Sequence, residues 1–406
     1  MASFLTLNDF DPRGKAVLLR LDVNVPMKNG VVTDETRIIR ALPSLKKLRD
    51  SGARTIILAH QGRPKGTVGP EFTLAPTAKV FAREMDQSVP LVPALTGSIA
   101  KEAIAAMEDG DIILLENCRF DPREESKYEV ARESLANELA DLADAYVNDA
   151  FSVSHRAHTT VSSITTKLPS YAGLLMQDEL TYLNKALASP DRPLAAVVGG
   201  AKVSTKLDLL SNLVTKVDAL IIGGGMANTF LAAQGYSVGQ SLCEYDLVNT
   251  AKSILSKAKD SGCEILLPHD VRVATRLEAG LSSAVVGTDE VPEDQMILDT
   301  GPASAEELVA KLSTIKTLVW NGPLGAFEIE PYDDATKAVA QEAARLTKAG
   351  NLVTVAGGGD TVSALIQANA EADFSYVSTA GGAFLEWLEG KTLPGVKALE
   401  EAASKS

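Results

Sequence analysis

One rhythm constrains this chain more than any other feature: a short apolar run, a glycine-rich or polar cluster, then a stretch with helical spacing. Strand candidates in the first half are AVLLRL (16–21), RTIILA (54–59), DIILLE (111–116) and AYVND (145–149). Between them, Ile38, Leu42, Leu45 and Leu48, or Ala131, Leu135, Leu139 and Leu142, recur at helical spacing. The second half repeats the pattern with LAAVV (194–198), VDALII (217–222), CEILL (263–267), TLVW (317–320) and NLVTVA (351–356). Such alternation predicts an α/β protein with parallel sheets covered by helices on both faces. The strands are followed by His60-Gln61-Gly62-Arg63, Gly199-Gly200-Ala201-Lys202, Gly223-Gly224-Gly225, Asn321-Gly322-Pro323 and Gly357-Gly358-Gly359-Asp360. One glycine after a strand is ordinarily a tight turn. Five such clusters point to a functional edge, because open α/β sheets bind ligands at the carboxyl ends of their strands.

With 406 residues the chain exceeds one ordinary core, so two domains are expected. The stretch QDELTYLNKALASPDRP carries a helical row at Leu180, Leu183 and Leu187 and stops at Pro190 and Pro193. It reads as a helix joining two lobes, with the boundary between 170 and 193. The net charge of −14 speaks against a nucleic-acid or anionic-membrane binder. That charge is uneven: −2 over residues 1–170 and −12 over the rest, which leaves room for a cationic site in the first half. No apolar run approaches the roughly 18 residues of a membrane span. Cys118, Cys243 and Cys263 are too far apart for a disulfide framework or a zinc-ligand pair, and buried, inert thiols are the expectation.

In the second half, VTVAGGGDTVSALIQ (353–367) reads as strand, glycine turn and helix. Free N–H groups and the helix dipole make that helix start an anion site. Asp360 and Thr361 are either helix caps or ligands of Mg²⁺ on a phosphate. Lys202 and Lys206, four apart in GGAKVSTKLDLL, are expected to open a helix and point the same way, either into solvent or, as the glycines before them favour, toward a polyphosphate. Familiar nucleotide motifs fail. Asn228 occupies the last glycine's place in a dinucleotide fingerprint, Leu385 stands where a Walker A loop needs glycine, and His155-Arg156-Ala157 lacks the Asp of a protein-kinase loop.

In the first half the informative residues are cationic: Arg37, His60, Arg63, Arg119, Arg156 and His158. Gathered at the ends of neighbouring strands they would form a pocket for a small dianion, since arginine's fork suits phosphate and carboxylate alike. Asp22 and Asn24, in LDVNVP, either bond hydroxyl groups of that ligand or organise the turn before Pro26.

Taken in order, LDVNVP, LAHQGRPKG, LLENCRF, SHRAH, GGAKVSTKLDLL, GGGMANTF, WNGPLGAFE, AGGGDT and GGAFLEWLEGK closely resemble the phosphoglycerate kinase family, from about residue 3 to 400. The resemblance implies two doubly wound, parallel-sheet (Rossmann-like) domains joined by a helical hinge: residues 1–172 for 3-phosphoglycerate, 173–193 as hinge, 194–390 for the nucleotide, and 391–406 as a tail returning to the first domain. It implies Mg²⁺-dependent transfer of a phosphoryl group between 1,3-bisphosphoglycerate and ADP, giving 3-phosphoglycerate and ATP, with small-molecule partners. Nothing in the sequence demands association and the cysteines suit a reducing cytosol, so a cytoplasmic monomer is expected. On matching positions, Asp22, Asn24, Arg37, His60, Arg63, Arg119 and Arg156 look like the 3-phosphoglycerate site. Gly200, Lys206, Gly224, Asn321, Glu328, Gly358, Gly359, Asp360 and Thr361 are similar to the nucleotide site, with Asp360 on the metal and Glu328 on the ribose. Arg37, Lys202, Gly358 and Gly381 would serve the transferring group. Two positions depart from the pattern. Ala380 replaces a usual glycine and would crowd a phosphate, and Ser152 replaces another, where a strained turn would loosen Arg156.

A carboxylate acceptor with a pKa near 4 is already ionised at neutral pH, so this chemistry requires no general base. It requires cations and N–H groups to offset repulsion between anions. Arg37 and Lys202 come from different lobes, so in-line transfer implies hinge closure. A non-catalytic nucleotide-binding scaffold on the same fold is the rival reading. It would have no use for the arginine set or for Lys202.

Overall fold

Parallel strands buried on both faces need continuous apolar runs, and the runs above meet that demand. A computed structural model describes residues 4–405. Its strands are β1 (Ala16–Arg20), β2 (Met27–Lys28), β3 (Val31–Val32), β4 (Arg54–Leu58), β5 (Leu91–Val92), β6 (Ile112–Leu115), β7 (Ala145–Asn148), β8 (Ser170–Ala172) and β9 (Leu194–Val198). They continue with β10 (Ala219–Ile222), β11 (Glu264–Leu266), β12 (Asp270–Ala274), β13 (Ala284–Gly287), β14 (Met296–Thr300), β15 (Thr317–Asn321), β16 (Val353–Gly357) and β17 (Tyr376–Ser378). Two compact units result: Met1–Leu180 with Thr392–Ser406, and Thr181–Lys391.

The first unit carries a parallel sheet in the order β5-β6-β4-β1-β7-β8. Side chains alternate across it. Val17, Leu19, Ile57 and Leu114 meet Ile38, Leu42, Leu45 and Phe81 of helices Thr36–Asp50 and Ala75–Met85. Leu18, Ile56 and Ile113 face Ala100, Ile104, Leu135 and Leu139 of helices Gly97–Ala105 and Glu129–Ala140. Within this unit the C-terminal helix Pro394–Ala403 lies against the loop after β7, where Gly395 N–H donates to Ser154 O at 2.8 Å.

The second unit carries a parallel sheet in the order β11-β10-β9-β15-β16-β17. Counted in chain order this is 3-2-1-4-5-6, the order whose switch point lies between its first and fourth strands, here β9 and β15. Trp320 is buried among Leu308, Val339 and Phe374, and its Nε1 donates to Gly322 O at 2.8 Å. Cutting it to alanine would cost roughly 3–5 kcal/mol. A small antiparallel sheet, β13-β12-β14, is inserted before β15 and was not anticipated from sequence.

The segment after β8 forms helix Leu174–Leu183 and then a π-helical stretch, Asn184–Ala188. Leu180 and Leu183 are buried, but the wider turn rotates the row so that Ala186 is buried in place of Leu187. No helix among the described residues is long and apolar enough to cross a membrane.

Candidate active site

Because every strand of the first sheet is parallel, the loops after β1, β4, β6 and β7 leave one edge together. Asp22, two residues past β1, is the hub. Its Oδ2 takes Arg37 Nη1 at 2.5 Å and the hydroxyl of Ser152, and its Oδ1 takes the N–H of Asn24 at 3.1 Å. Arg37 sits in the first turn of helix Thr36–Asp50, with its side chain about a third exposed. Asn24 Oδ1 accepts Gly62 N–H at 2.8 Å, and Arg119 Nη1 donates to Gly62 O at 2.8 Å, tying the β1, β4 and β6 loops together. Asp22 and Asn24 therefore do organise the turn, whatever else they bind. Arg63 and Arg156 are exposed, one next to Gly62 and the other four residues past Ser152.

Beneath this cluster lies buried polarity absent from the residues singled out above. Arg20, wholly buried at the end of β1, donates through Nε to Thr160 Oγ1 at 2.9 Å, and its Nη2 lies 3.0 Å from His60 Nδ1. Thr160 Oγ1 donates to buried Glu124 at 2.6 Å. The signal was in AVLLRL: a charge inside a buried run must find a partner. Burial first, then Arg20 and Arg119, pushes the His60 imidazole well below its ordinary range. Burial also takes His158 down to about 3, helped by Arg119, Arg20 and Arg156, so its 4.0 Å approach to Glu124 is neither an ion pair nor a hydrogen bond. Positive charge from Arg20, Arg37, Arg119 and Arg156 is thus concentrated around two neutral rings, an environment suited to an anion.

Ser152 corrects an expectation. It lies in the 3₁₀ turn Phe151–Val153, outside the left-handed backbone region, and its hydroxyl holds Asp22. The turn is unstrained and gains a hydrogen bond.

In the second unit a cavity of about 520 Å³ is lined by Gly200, Gly224, Leu242, Leu277, Glu328 and Asp360, among others. Its size falls in the range of small-molecule sites. Residues Met296–Thr300 of the inserted sheet supply much of its apolar wall. Gly224 starts helix Gly225–Gln234 at φ 66°, and a Cβ there would come 2.9 Å from Gly200 O, so only glycine lets the two loops touch.

Lys202 and Lys206 overturn the expected helix start. Lys202 precedes the 3₁₀ turn Val203–Thr205, and the α-helix begins only at Leu207, so the i,i+4 geometry does not apply. Lys202 is exposed. Lys206 turns inward, donating to Gly199 O at 2.5 Å, Asn321 Oδ1 at 2.6 Å and Asn321 O at 3.1 Å. Burial brings its pKa down to about 8 against the pull of Asp360.

Neither Asp360 nor Thr361 caps helix Gly359–Gln367. Thr361 Oγ1 accepts Gly322 N–H at 2.7 Å, and Asn321 Nδ2 donates to Gly357 O at 2.7 Å, so both residues lock the β15 and β16 loops together. Asp360 is exposed in the helix's first turn beside the cavity. No cluster of three or more metal-ligating side chains occurs among the described residues. A lone carboxylate beside an open helix start fits Mg²⁺ that arrives on phosphate oxygens, which retains water and needs few protein ligands. Gly358 immediately precedes this helix, and Gly381 opens helix Gly381–Leu388 with open space around it. Ala380 has an ordinary φ of −89° and is itself buried. Cys118 and Cys263 are buried, with thiols pushed by burial to about 12 and about 11, and Cys243 is half-buried.

Phosphoglycerate kinase is the family whose sequence model matches this chain, over residues 7–391. A phosphoglycerate kinase of Ruegeria sp. (strain TM1040) is 56% identical over 395 residues, covering 97% of this chain and 99% of its own. One of Zymomonas mobilis subsp. mobilis is 55% identical over 399 residues, covering 98% and 100%. Among solved structures, phosphoglycerate kinase from Coxiella burnetii superposes with a TM-score of 0.92 at 42% identity, covering 98% of this chain and 100% of its own. The one from Pyrococcus horikoshii OT3 gives 0.82 at 30% identity, covering 99% of each. With matches of this extent in both sequence and fold, the chain belongs to the phosphoglycerate kinase family.

Proposed function

We propose that the chain catalyses reversible transfer of a phosphoryl group from 1,3-bisphosphoglycerate to ADP, giving 3-phosphoglycerate and ATP, as a cytoplasmic, Mg²⁺-dependent monomer. Beyond family membership, the observation that carries this reading is the cluster in which Arg37, from the first turn of helix Thr36–Asp50, and Arg119, from the loop after β6, are linked through Asp22, Asn24 and Gly62 beside the neutral His60 ring. A nucleotide-binding scaffold has no use for such a cluster. Asp22, Asn24, Arg37, His60, Arg63, Arg119 and Arg156 hold 3-phosphoglycerate. Gly200, Gly224, Asn321, Glu328, Gly359 and Thr361 frame the nucleotide, with Glu328 on the ribose. When bound, Mg²⁺ neutralises phosphate charge, and Asp360 holds it.

The acceptor carboxylate is ionised without help, so the protein's task is electrostatic. Arg37, Lys202 and the N–H groups at Gly358 and Gly381 offset the charge that accumulates on the transferring group. A coupled assay with 3-phosphoglycerate and MgATP tests the activity directly, and absence of turnover with both substrates would overturn it.

Reacting atoms must come within roughly 3–3.5 Å of one another, and Arg37 and Lys202 belong to different units. Small-angle scattering is expected to give a smaller radius of gyration with both substrates than with either alone. An unchanged radius in every state would sink the closure.

Lys206 yields a pH prediction. An unfolded lysine titrates near 10.4, and the folded one is near 8. Between these values the unfolded chain holds a proton that the native protein has released, so this group adds stability as pH rises through that window. Phosphates arriving beside Lys206 favour its charged form. At pH 8.5, calorimetry in two buffers of different ionisation enthalpy should therefore show uptake of a large fraction of one proton on nucleotide binding, lost in Lys206→Met. Binding without uptake would refute the contact.

A further inference from the structure

We propose that Arg20 is a positioning residue that fixes His60 as the Nε2–H tautomer, presenting a permanent hydrogen-bond donor to the acid substrate. The substrate half of this statement rests on the reading of the Asp22 cluster as the 3-phosphoglycerate site.

The inference follows from donor and acceptor counting. A guanidinium donates only and never accepts. Arg20 Nη2 stands 3.0 Å from His60 Nδ1, and both residues are buried. His60 Nδ1 must therefore offer its lone pair, and a neutral ring then carries its proton on Nε2. The opposite tautomer would set N–H against N–H in a dry interior. A doubly protonated ring would do the same and add a second positive charge beside Arg20. Burial, Arg20, Arg119, His158 and Arg37 all disfavour that charged form.

Arg20 cannot swing away to relieve the pairing. Nε is held by Thr160 Oγ1 at 2.9 Å and Nη1 by Leu21 O. Thr160 is itself fixed, since its hydroxyl and its N–H donate to the two carboxyl oxygens of Glu124, at 2.6 and 3.0 Å. The cation thus has its counter-charge one hydroxyl away, and its third arm is committed to His60. On the other side of the ring, Asp22 Oδ1 lies 4.0 Å from Nε2, beyond hydrogen-bond reach. The Nε2–H donor remains for a ligand oxygen, and binding one requires no proton uptake by His60.

Nitrogen-15 NMR of the imidazoles in the full-length, ligand-free protein tests this, with His60 assigned by comparison with His60→Gln. The expected spectrum has Nδ1 unprotonated and Nε2 protonated from pH 8 to pH 5.5. A protonated Nδ1 anywhere in that range overturns the proposal. Arg20→Met should give a mixture of tautomers and raise KM for 3-phosphoglycerate about three- to tenfold, the effect of one hydrogen bond, with KM for MgATP within about twofold. Arg20→Lys keeps a donor and should keep the tautomer, which separates the role from general destabilisation if Arg20→Met fails to fold. An unchanged tautomer in soluble Arg20→Met overturns the role of Arg20. If the wild-type tautomer is as expected but 3-phosphoglycerate leaves the His60 resonances unmoved, the ligand half falls while the tautomer assignment stands.

Discussion

Replacing Arg37 with alanine lowers kcat about 10³-fold while KM for MgATP stays within about threefold. That magnitude is what a preorganised cation or donor contributes when charge develops on a transferring group. The split follows from where Arg37 is attached. Its guanidinium is held by Asp22 Oδ2 at 2.5 Å, in a unit that contains none of the loops around the 520 Å³ cavity. The loss therefore falls on turnover and on 3-phosphoglycerate, not on the nucleotide. Asp22 keeps Ser152 and the Asn24 N–H as partners in the variant, so the turn itself survives. Arg37→Lys should recover only part of the rate, because an ammonium keeps the charge but not the planar fork. Steady-state kinetics in both substrates decides the matter. If nucleotide KM rose in parallel with the fall in kcat, Arg37 would not belong to the acid site.

What was legible in the sequence and what was not separate along a physical line. Each apolar run named as a strand became one: eight are buried over all or nearly all their length, as a strand covered on both faces requires, and only the edge strand β11 is half-exposed. β5, β8 and β17, of two or three residues each, left too few positions for any period to register. The inserted sheet escaped because β13 is exposed over half its length and β14 is only half-buried until Asp299. At the site, residue types indicated anion binding, but only coordinates gave direction. Lys202 and Lys206 share a motif, yet one faces solvent and the other is enclosed by three oxygens of the β9 and β15 loops. Thr361, by its place in the sequence a cap or a metal ligand, instead accepts the N–H of Gly322. A polar residue's type limits its partners, while its choice among them is made by tertiary packing. Arg20 is the reverse case, since its partner could have been demanded from sequence alone.

Three glycine substitutions separate architecture from chemistry. Gly322 has φ 106°, and a Cβ there would lie 2.2 Å from Gly199 O, where β9 and β15 diverge at the switch point. Gly322→Ala combines left-handed strain with a backbone collision that no rotamer relieves. It should cost more than about 3 kcal/mol, visible as a fall in Tm of roughly 6–12 °C. Gly359, the first residue of helix Gly359–Gln367, has an ordinary φ and nothing within 4 Å of an added Cβ. Gly359→Ala should therefore leave Tm within about 2 °C, because helix interiors and starts tolerate alanine. If phosphate oxygens meet the N–H groups of this helix start, however, the added methyl stands in their way, and KM for MgATP should rise about tenfold, the equivalent of one charge-assisted hydrogen bond. Gly381→Ala, equally open, should lower kcat with the same indifference in Tm. Thermal denaturation and kinetics on the three variants give a two-way classification. A Gly359→Ala enzyme with unaltered kinetics would mean that phosphate does not approach this end of the helix, and the placement of Asp360 on the metal would fall with it.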